Sequence, residues 1–89
     1  MQVTSVKIRK LFDGNDRLSA LLSVTLDNEL VIHDIKVING DGRTFIAMPS
    51  KRDSNGIFHD IAHPITSESR HGIESQVLEL YFKQLERTE

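Results

Sequence analysis

The 89-residue sequence contains no cysteine and no tryptophan, and it has only two prolines. Without cysteine, the fold has no disulfide and no cysteine-ligated metal to stabilise it. Its apolar runs are far shorter than the roughly 18 residues of a membrane span, and the first ten residues hold no run typical of a secretory signal. We therefore expect a cytoplasmic protein without a membrane partner.

Catalytic motifs are also scarce. No serine lies in a G-x-S-x-G context, and no P-loop or G-x-G-x-x-G segment precedes a helix. The net charge is −2, so a nucleic-acid role would depend on a local basic patch. We expect a binding protein rather than an enzyme, with no cofactor and no small-molecule substrate.

The length predicts one small domain, residues 1–89. A chain this short buries only about 60% of the surface that it exposes when unfolded. Self-association commonly compensates for so thin a core. Length alone therefore favours an oligomer.

Alternating apolar and polar residues predict an antiparallel sheet over about residues 2–61. The segment Leu30–Ile38 is apolar at both odd and even positions, which predicts that both of its faces are covered. Turn-forming residues at Phe12–Arg17 predict a hairpin loop, and Asn55-Gly56 predicts another. The predicted strands are Val3–Leu11, Leu18–Leu26, Leu30–Ile38, Phe45–Met48 and Ile57–Ile61.

The C-terminal part of the chain predicts one helix over about residues 67–86, with a frayed tail at 87–89. Ile73, Val77, Tyr81 and Leu85 recur every fourth residue. Flanking apolar residues make this stripe wider than one contact with a sheet requires, which predicts a second partner surface. The fold class is therefore α+β: a small antiparallel β-sheet of about five strands with one C-terminal α-helix packed on it.

The first group of candidate binding residues is the adjacent pair Lys51 and Arg52, which follows Pro49 and Ser50. The proline and the following turn predict an exposed loop, where binding residues are common. Arginine can bind two phosphate oxygens at once, and lysine supplies a compact charge. The alternative is a solvated turn whose charges serve solubility.

A second group lies on the first predicted strand, where Lys7 and Arg9 share a face and Lys10 is predicted on the opposite face. These cations could join the first group in a positive patch. The alternative is an edge strand that carries charge to prevent aggregation.

The third group is the predicted start of the helix, where Arg70 is a cation at the end that the helix dipole disfavours. A phosphate bound by Arg70, the free N–H groups and the hydroxyls of Thr66, Ser67 and Ser69 would account for its position. The alternative is an ion pair with Glu74, four residues on.

His59, Asp60 and His63 have the side-chain types of a divalent metal site. The segment is predicted as a strand followed by a His63-Pro64 corner, which places the two histidines too far apart for one ion. We interpret the corner as structural and predict no metal site.

Three sequence blocks identify a family. They are IHDIKVING at residues 32–40, FIAMPSKR at 45–52 and the G-x-F-x-D-I-A-H-P-I pattern from Gly56 to Ile65. With these blocks the chain resembles the stage V sporulation protein G family, also called septation proteins. The likeness runs from the V-T-x-V-x-I-R strand through the final helix, whereas the tail after Leu85 matches nothing.

This resemblance implies a small bacterial regulator that binds DNA, and in some members RNA, as a homodimer formed through the sheets. Members influence septum formation, sporulation and, in other bacteria, cell-surface and virulence genes, and no enzymatic activity comes with the family. By similarity, Lys51 and Arg52 are the nucleic-acid contacts, and Ser67 to Arg70 is a second contact. The alternative function is a protein-interaction module in septation or signalling.

Overall fold

The computed structural model describes residues 1–12 and 17–87. Strands β1 to β4 form an antiparallel sheet in the order of the sequence, and β5 and β6 form a separate two-stranded ribbon. The elements are β1 (Val3–Leu11), β2 (Leu18–Leu26), β3 (Leu30–Gly40), β4 (Arg43–Ala47), β5 (Ser50–Arg52), β6 (Phe58–Asp60) and α1 (Ser67–Arg87). The α+β class with one C-terminal helix is confirmed.

Strand β5 is the element that the sequence pattern missed. Pro49 ends the β4 segment as predicted, but main-chain pairing resumes at the next residue, so Lys51 and Arg52 lie on a strand and not on a loop. The Pro49 carbonyl accepts a hydrogen bond from the Ile61 N–H at 2.7 Å, which closes the base of the ribbon. Residues 13–16 of the predicted Phe12–Arg17 loop and 88–89 of the predicted tail lie outside the described residues.

A β-bulge in β3 reverses which side chains face the helix. Asp34 adopts a left-handed conformation with φ of 62°, and the register with β2 shifts at this point. Leu30 and Ile32 before the bulge and Ile35 and Val37 after it all pair with the buried, even-numbered residues of β2. These four apolar side chains therefore share one face, although they stand at both odd and even positions. The prediction that such a pattern requires cover on both faces of β3 is wrong for these residues.

The core lies between this sheet face and α1. Twelve hydrophobic residues are buried there, among them Leu22 on β2, Ile35 on β3 and Val77 on the helix. Most of the predicted helix stripe packs against this core, and only Phe82 of the stripe is largely exposed. No helix in the described part of the chain is long and apolar enough to cross a membrane.

Polar side chains of α1 bind both edges of the sheet. The Val3 N–H of β1 donates to Gln76 Oε1 at 3.0 Å, and Gln84 Nε2 donates to the Val6 carbonyl of the same strand. On the opposite edge, the Ile46 N–H of β4 donates to Glu74 Oε2 at 3.3 Å. The helix therefore spans the sheet from β1 to β4, and part of each edge already has hydrogen-bond partners.

The bulge predicts a specific effect on stability. Replacing Asp34 with valine forces a β-branched residue into the left-handed region, and we expect a loss of about 1–3 kcal/mol in the free energy of unfolding. Asp34→Gly, the matched control, should remain within about 1 kcal/mol of the wild type because glycine adopts this conformation freely. Urea unfolding followed by circular dichroism measures both, and equal stability of the two variants would contradict the bulge.

Candidate nucleic-acid interface

The ribbon presents its two cations on opposite faces. Lys51 pairs with His59, and Arg52 pairs with Phe58, which places each cation beside a different partner. Successive residues of a strand alternate between faces, so the two side chains leave the strand on opposite faces. The predicted contact Ser50 pairs with Asp60 and shares the face of Arg52. Both side chains nevertheless line one open cavity of about 420 Å³, together with Asp53, Ser54 and His59.

The Arg52 side chain has a defined position. Its guanidinium lies 5.9 Å from the centroid of the Phe58 ring, a cation–π distance. It also packs over Gly56, which has φ of 81°, and a side chain at that position would meet Arg52 Nη2 at 3.2 Å. The residue remains exposed and forms no ion pair with another described residue, so its donors are available to a ligand.

Asp53 organises the turn between the two strands. Its Oδ1 accepts the N–H groups of Asn55 at 2.8 Å and Ile57 at 3.0 Å, and its Oδ2 accepts the His59 Nε2–H at 2.7 Å. The hydrogen bond from the Ile57 amide, followed by that from His59, lowers the pKa of Asp53 below its ordinary value. The carboxylate therefore fixes the shape of the hairpin that carries Lys51 and Arg52.

The histidines of the segment have partners within the chain. His59 binds Asp53, and His63 Nδ1 donates to the Pro64 carbonyl at 3.0 Å within the predicted corner. Within residues 1–12 and 17–87, no group of three or more histidine, aspartate or glutamate side chains is arranged to hold a metal ion.

The start of α1 combines predicted and unpredicted residues. Thr66 caps the helix, because its Oγ1 accepts the Ser69 N–H at 3.0 Å, and the Ser69 hydroxyl donates back to the Thr66 carbonyl at 3.1 Å. Ser69 is thus committed to the cap, whereas Ser67 and Arg70 line a cavity of about 220 Å³. The other lining residues are Arg43, Phe45, Ile46, His71 and Glu74.

Arg70 does not pair with Glu74, the alternative that its spacing suggested. Glu74 instead lies 3.8 Å from Arg43 Nη2 and accepts the Ile46 N–H of β4. Arg43 and His71 were not predicted at this cavity. No local pattern reveals them, since Arg43 follows a turn in the sequence and only the packing of β4 against α1 brings it to the helix start.

The sheet face turned away from α1, the outer face, carries a further group of cations. A register shift after Ile8 places Lys10 opposite Leu21, and Lys7 is opposite Ser23. Both lysines therefore lie on the outer face, and the prediction of Lys10 on the opposite face from Lys7 is wrong. Lys36 of β3, which also pairs with Leu21, joins them.

Arg9 is held on the outer face by a polar bridge across three strands. Its Nε–H donates to Ser23 Oγ at 2.9 Å, and Ser23 Oγ lies 2.8 Å from His33 Nδ1. Ser23 is only 4% exposed under these two side chains. The bridge satisfies the buried hydroxyl and orients the guanidinium.

The predicted cations therefore occupy three separate places: the outer face, the ribbon and the start of α1. Within residues 1–12 and 17–87, no hydrogen bond or ion pair joins these groups into one patch. The ion pairs among the described residues are Arg43–Glu74, His59–Asp53 and Lys83–Glu79. None of these pairs involves a predicted contact cation, namely Lys7, Arg9, Lys51, Arg52 or Arg70.

The lowered pKa of Asp53 predicts how the ribbon responds to acid. A carboxyl whose pKa is lower in the folded than in the unfolded chain stabilises the fold at pH values above its pKa in the unfolded chain. This stabilisation is lost as the pH falls through its pKa in the folded chain. We expect Asp53 to titrate below 3.8 and the amide resonances of Asn55 and Ile57 to follow it in an NMR titration. Asp53→Asn should abolish that transition, and Asp60→Asn should leave it unchanged. Amides that titrate equally in Asp53→Asn would disprove the assignment.

Comparison with known proteins assigns the chain to a family. The SpoVG family model matches residues 1–83. A protein named septation protein SpoVG from an Exiguobacterium species is 54% identical over 81 residues, covering 91% of this chain and 81% of its own length. Proteins of the same name from Clostridium botulinum and Agathobacter rectalis are 50% and 45% identical over 86 residues, covering 97% of this chain and 93% and 98% of their own lengths. The chain belongs to the SpoVG family of septation proteins.

Proposed function

We propose that the chain is a homodimeric nucleic-acid-binding regulator that acts on DNA, and on RNA by the same backbone contacts, in septation, sporulation or the expression of surface and virulence genes. The observation that carries the proposal is that none of the predicted contact cations forms an ion pair with a described residue. In a chain with net charge −2, cations that no described carboxylate pairs with are suited to phosphate.

The ribbon is the part of the chain that fits a duplex. The major groove is about 12 Å wide and admits a two-stranded β-ribbon. A ribbon in this groove has a phosphate backbone on each side, and Lys51 and Arg52 leave their strand on opposite faces. The Asp53-centred turn would then lie towards the base edges, with the two cations at the walls.

The other cations extend the contact along the backbone. Ser67 and Arg70 at the start of α1 offer a hydroxyl and a guanidinium to a phosphate, and Arg9 is already oriented by Ser23. Contacts of this kind position a protein on nucleic acid without reading sequence. Binding should therefore depend strongly on salt and only modestly on sequence.

The test is a binding titration with labelled duplex DNA at two salt concentrations. Each phosphate contact that is removed lowers the slope of log affinity against log salt by about 1, so Lys51→Ala/Arg52→Ala should lower it by about 2. Each single variant should lower it by about half as much, because the two side chains contact different phosphates. Lys83→Ala is the matched control, since Lys83 pairs with Glu79 at 3.3 Å on the helix and should change nothing.

The assignment of the ribbon is overturned if the double variant keeps the affinity and the salt slope of the wild type while its circular dichroism spectrum shows an intact fold. Absence of binding by the wild type, together with protein partners that persist after nuclease treatment, would favour the protein-interaction module instead. The same titration with single-stranded RNA decides whether the backbone contacts extend to RNA.

A further inference from the structure

The ribbon carries the most exposed aromatic side chain of this protein. Phe58 on β6 is 67% exposed. Of the other four aromatic residues, Tyr81 is buried, Phe12 and Phe45 are half-buried, and Phe82 is 44% exposed. Phenylalanine stabilises a fold mainly through the area that it buries, and Phe58 buries little. Its ring is therefore available to a ligand.

The Phe58 ring is held in a defined position. Phe58 pairs with Arg52 across the ribbon, and the Arg52 guanidinium lies over the ring at 5.9 Å from its centroid. The preceding residue is tied to the turn twice, since the Ile57 N–H donates to Asp53 Oδ1 at 3.0 Å and the Asp53 N–H donates to the Ile57 carbonyl at 2.9 Å. Because the backbone beside the ring is already ordered, a ligand that binds there pays little conformational entropy.

The side chains around the ring suit a nucleotide. An aromatic ring beside a cation is the arrangement on which unpaired bases stack. A nucleotide joins its base to its phosphate through one sugar, so a base on the ring brings a phosphate to the guanidinium of Arg52. This arginine forms no ion pair with another described residue and can bind two phosphate oxygens. Asp60 leaves β6 on the same face as Phe58, and its negative charge directs the phosphate towards Arg52.

A duplex offers no such base to the ring. Each base inside a duplex is paired and already stacked on both faces, and its removal from the stack costs free energy. The bases of a single strand have free faces. Phe58 should therefore act on single strands and not on duplexes, although the cations of the ribbon serve both.

We propose that Phe58 stacks on one unpaired base of single-stranded nucleic acid, while Arg52 binds the phosphate of the same nucleotide. This inference rests on the phosphate contacts of the proposed function and extends the ribbon from the backbone to a base. Every base has a face on which an aromatic ring can stack, so the contact agrees with the modest sequence dependence proposed above.

An apolar protein partner fits this face of the ribbon less well. The face that carries Phe58 also carries three polar residues: Ser50, Arg52 and Asp60. Ile57 and Ile61 are also exposed, but they flank β6 at odd positions, which alternate with Phe58. A protein interaction site is typically a contiguous apolar patch, whereas a single ring among polar side chains matches one base.

Binding titrations with three ligands test the stacking: a single strand of about ten deoxyuridines, its duplex, and an abasic strand of the same length. Phe58→Leu should bind the single strand about tenfold more weakly, because leucine keeps the apolar volume but has no ring. Its affinity for the duplex and the abasic strand, and its salt slope, should match the wild type, because no phosphate contact is removed. Phe58→Tyr, which keeps the ring, should behave as the wild type. Phe82→Leu, the same change on the helix, is the matched control and should change nothing.

A single strand of uridines carries the same base on a different sugar, and we expect the same loss in Phe58→Leu. A loss on only one of the two strands would contradict stacking on the base. So would a Phe58→Leu chain that binds all ligands as the wild type does, or a Phe58→Tyr chain that loses as much affinity as Phe58→Leu.

The proposed function fails in a different way. A wild type that binds none of the ligands refutes nucleic-acid binding itself. A wild type that binds the single strand and the abasic strand equally, with the salt slope expected for phosphate contacts, retains the proposed function and refutes the stacking alone.

The absence of tryptophan permits a second measurement that reports on the ring directly. Phe58→Trp introduces the one indole of the chain at the stacking position, and a base stacked on an indole quenches its fluorescence. We expect the deoxyuridine strand to quench this variant and the abasic strand to leave it unchanged. Phe82→Trp should be quenched by neither. Equal quenching of Phe58→Trp by both strands would show that no base meets the ring.

Discussion

The β-bulge at Asp34 determines which side chains of β3 meet the helix, and most of the fold depends on that choice. Without it, Leu30 and Ile32 would face away from α1 whenever Ile35 and Val37 face towards it. Because Asp34 adopts the left-handed conformation, both halves of the strand place their apolar side chains on the face towards α1, where Ile35 and Val37 are fully buried. An aspartate tolerates this conformation better than the apolar residues around it would.

Bulges also organise the opposite surface. The register shift after Ile8 gives β1 two lysines on one face, which a regular strand would separate. Arg9, Ser23 and His33 then form a polar bridge across three strands. The two sides of the sheet thus differ in chemistry, since the side towards the helix is apolar and the outer face carries cations.

Sequence patterns predicted the elements that depend on local order. The strands β1 and β2 matched their predicted bounds, and the helix differed by one residue at its end, because long periodic segments and a threonine cap carry strong local signals. Strand β5 was missed because three residues after a proline have no readable period. The position of Lys10 was predicted wrongly because a bulge is defined by cross-strand register, which the sequence does not show. The cavity of Arg43 and Arg70 exists only through packing, so Arg70 and Ser67 were predicted there but Arg43 and His71 were not.

The hydrogen bonds from α1 to the two edge strands have a consequence for how far assembly can proceed. An open sheet edge is a template on which further chains add strands without limit. Gln76 and Gln84 occupy groups of β1, and Glu74 occupies one of β4, so neither edge offers an uninterrupted ladder to another chain. A helix that serves the core on one face thus also occupies main-chain groups at both edges of the four-stranded sheet, where an added strand would have to pair.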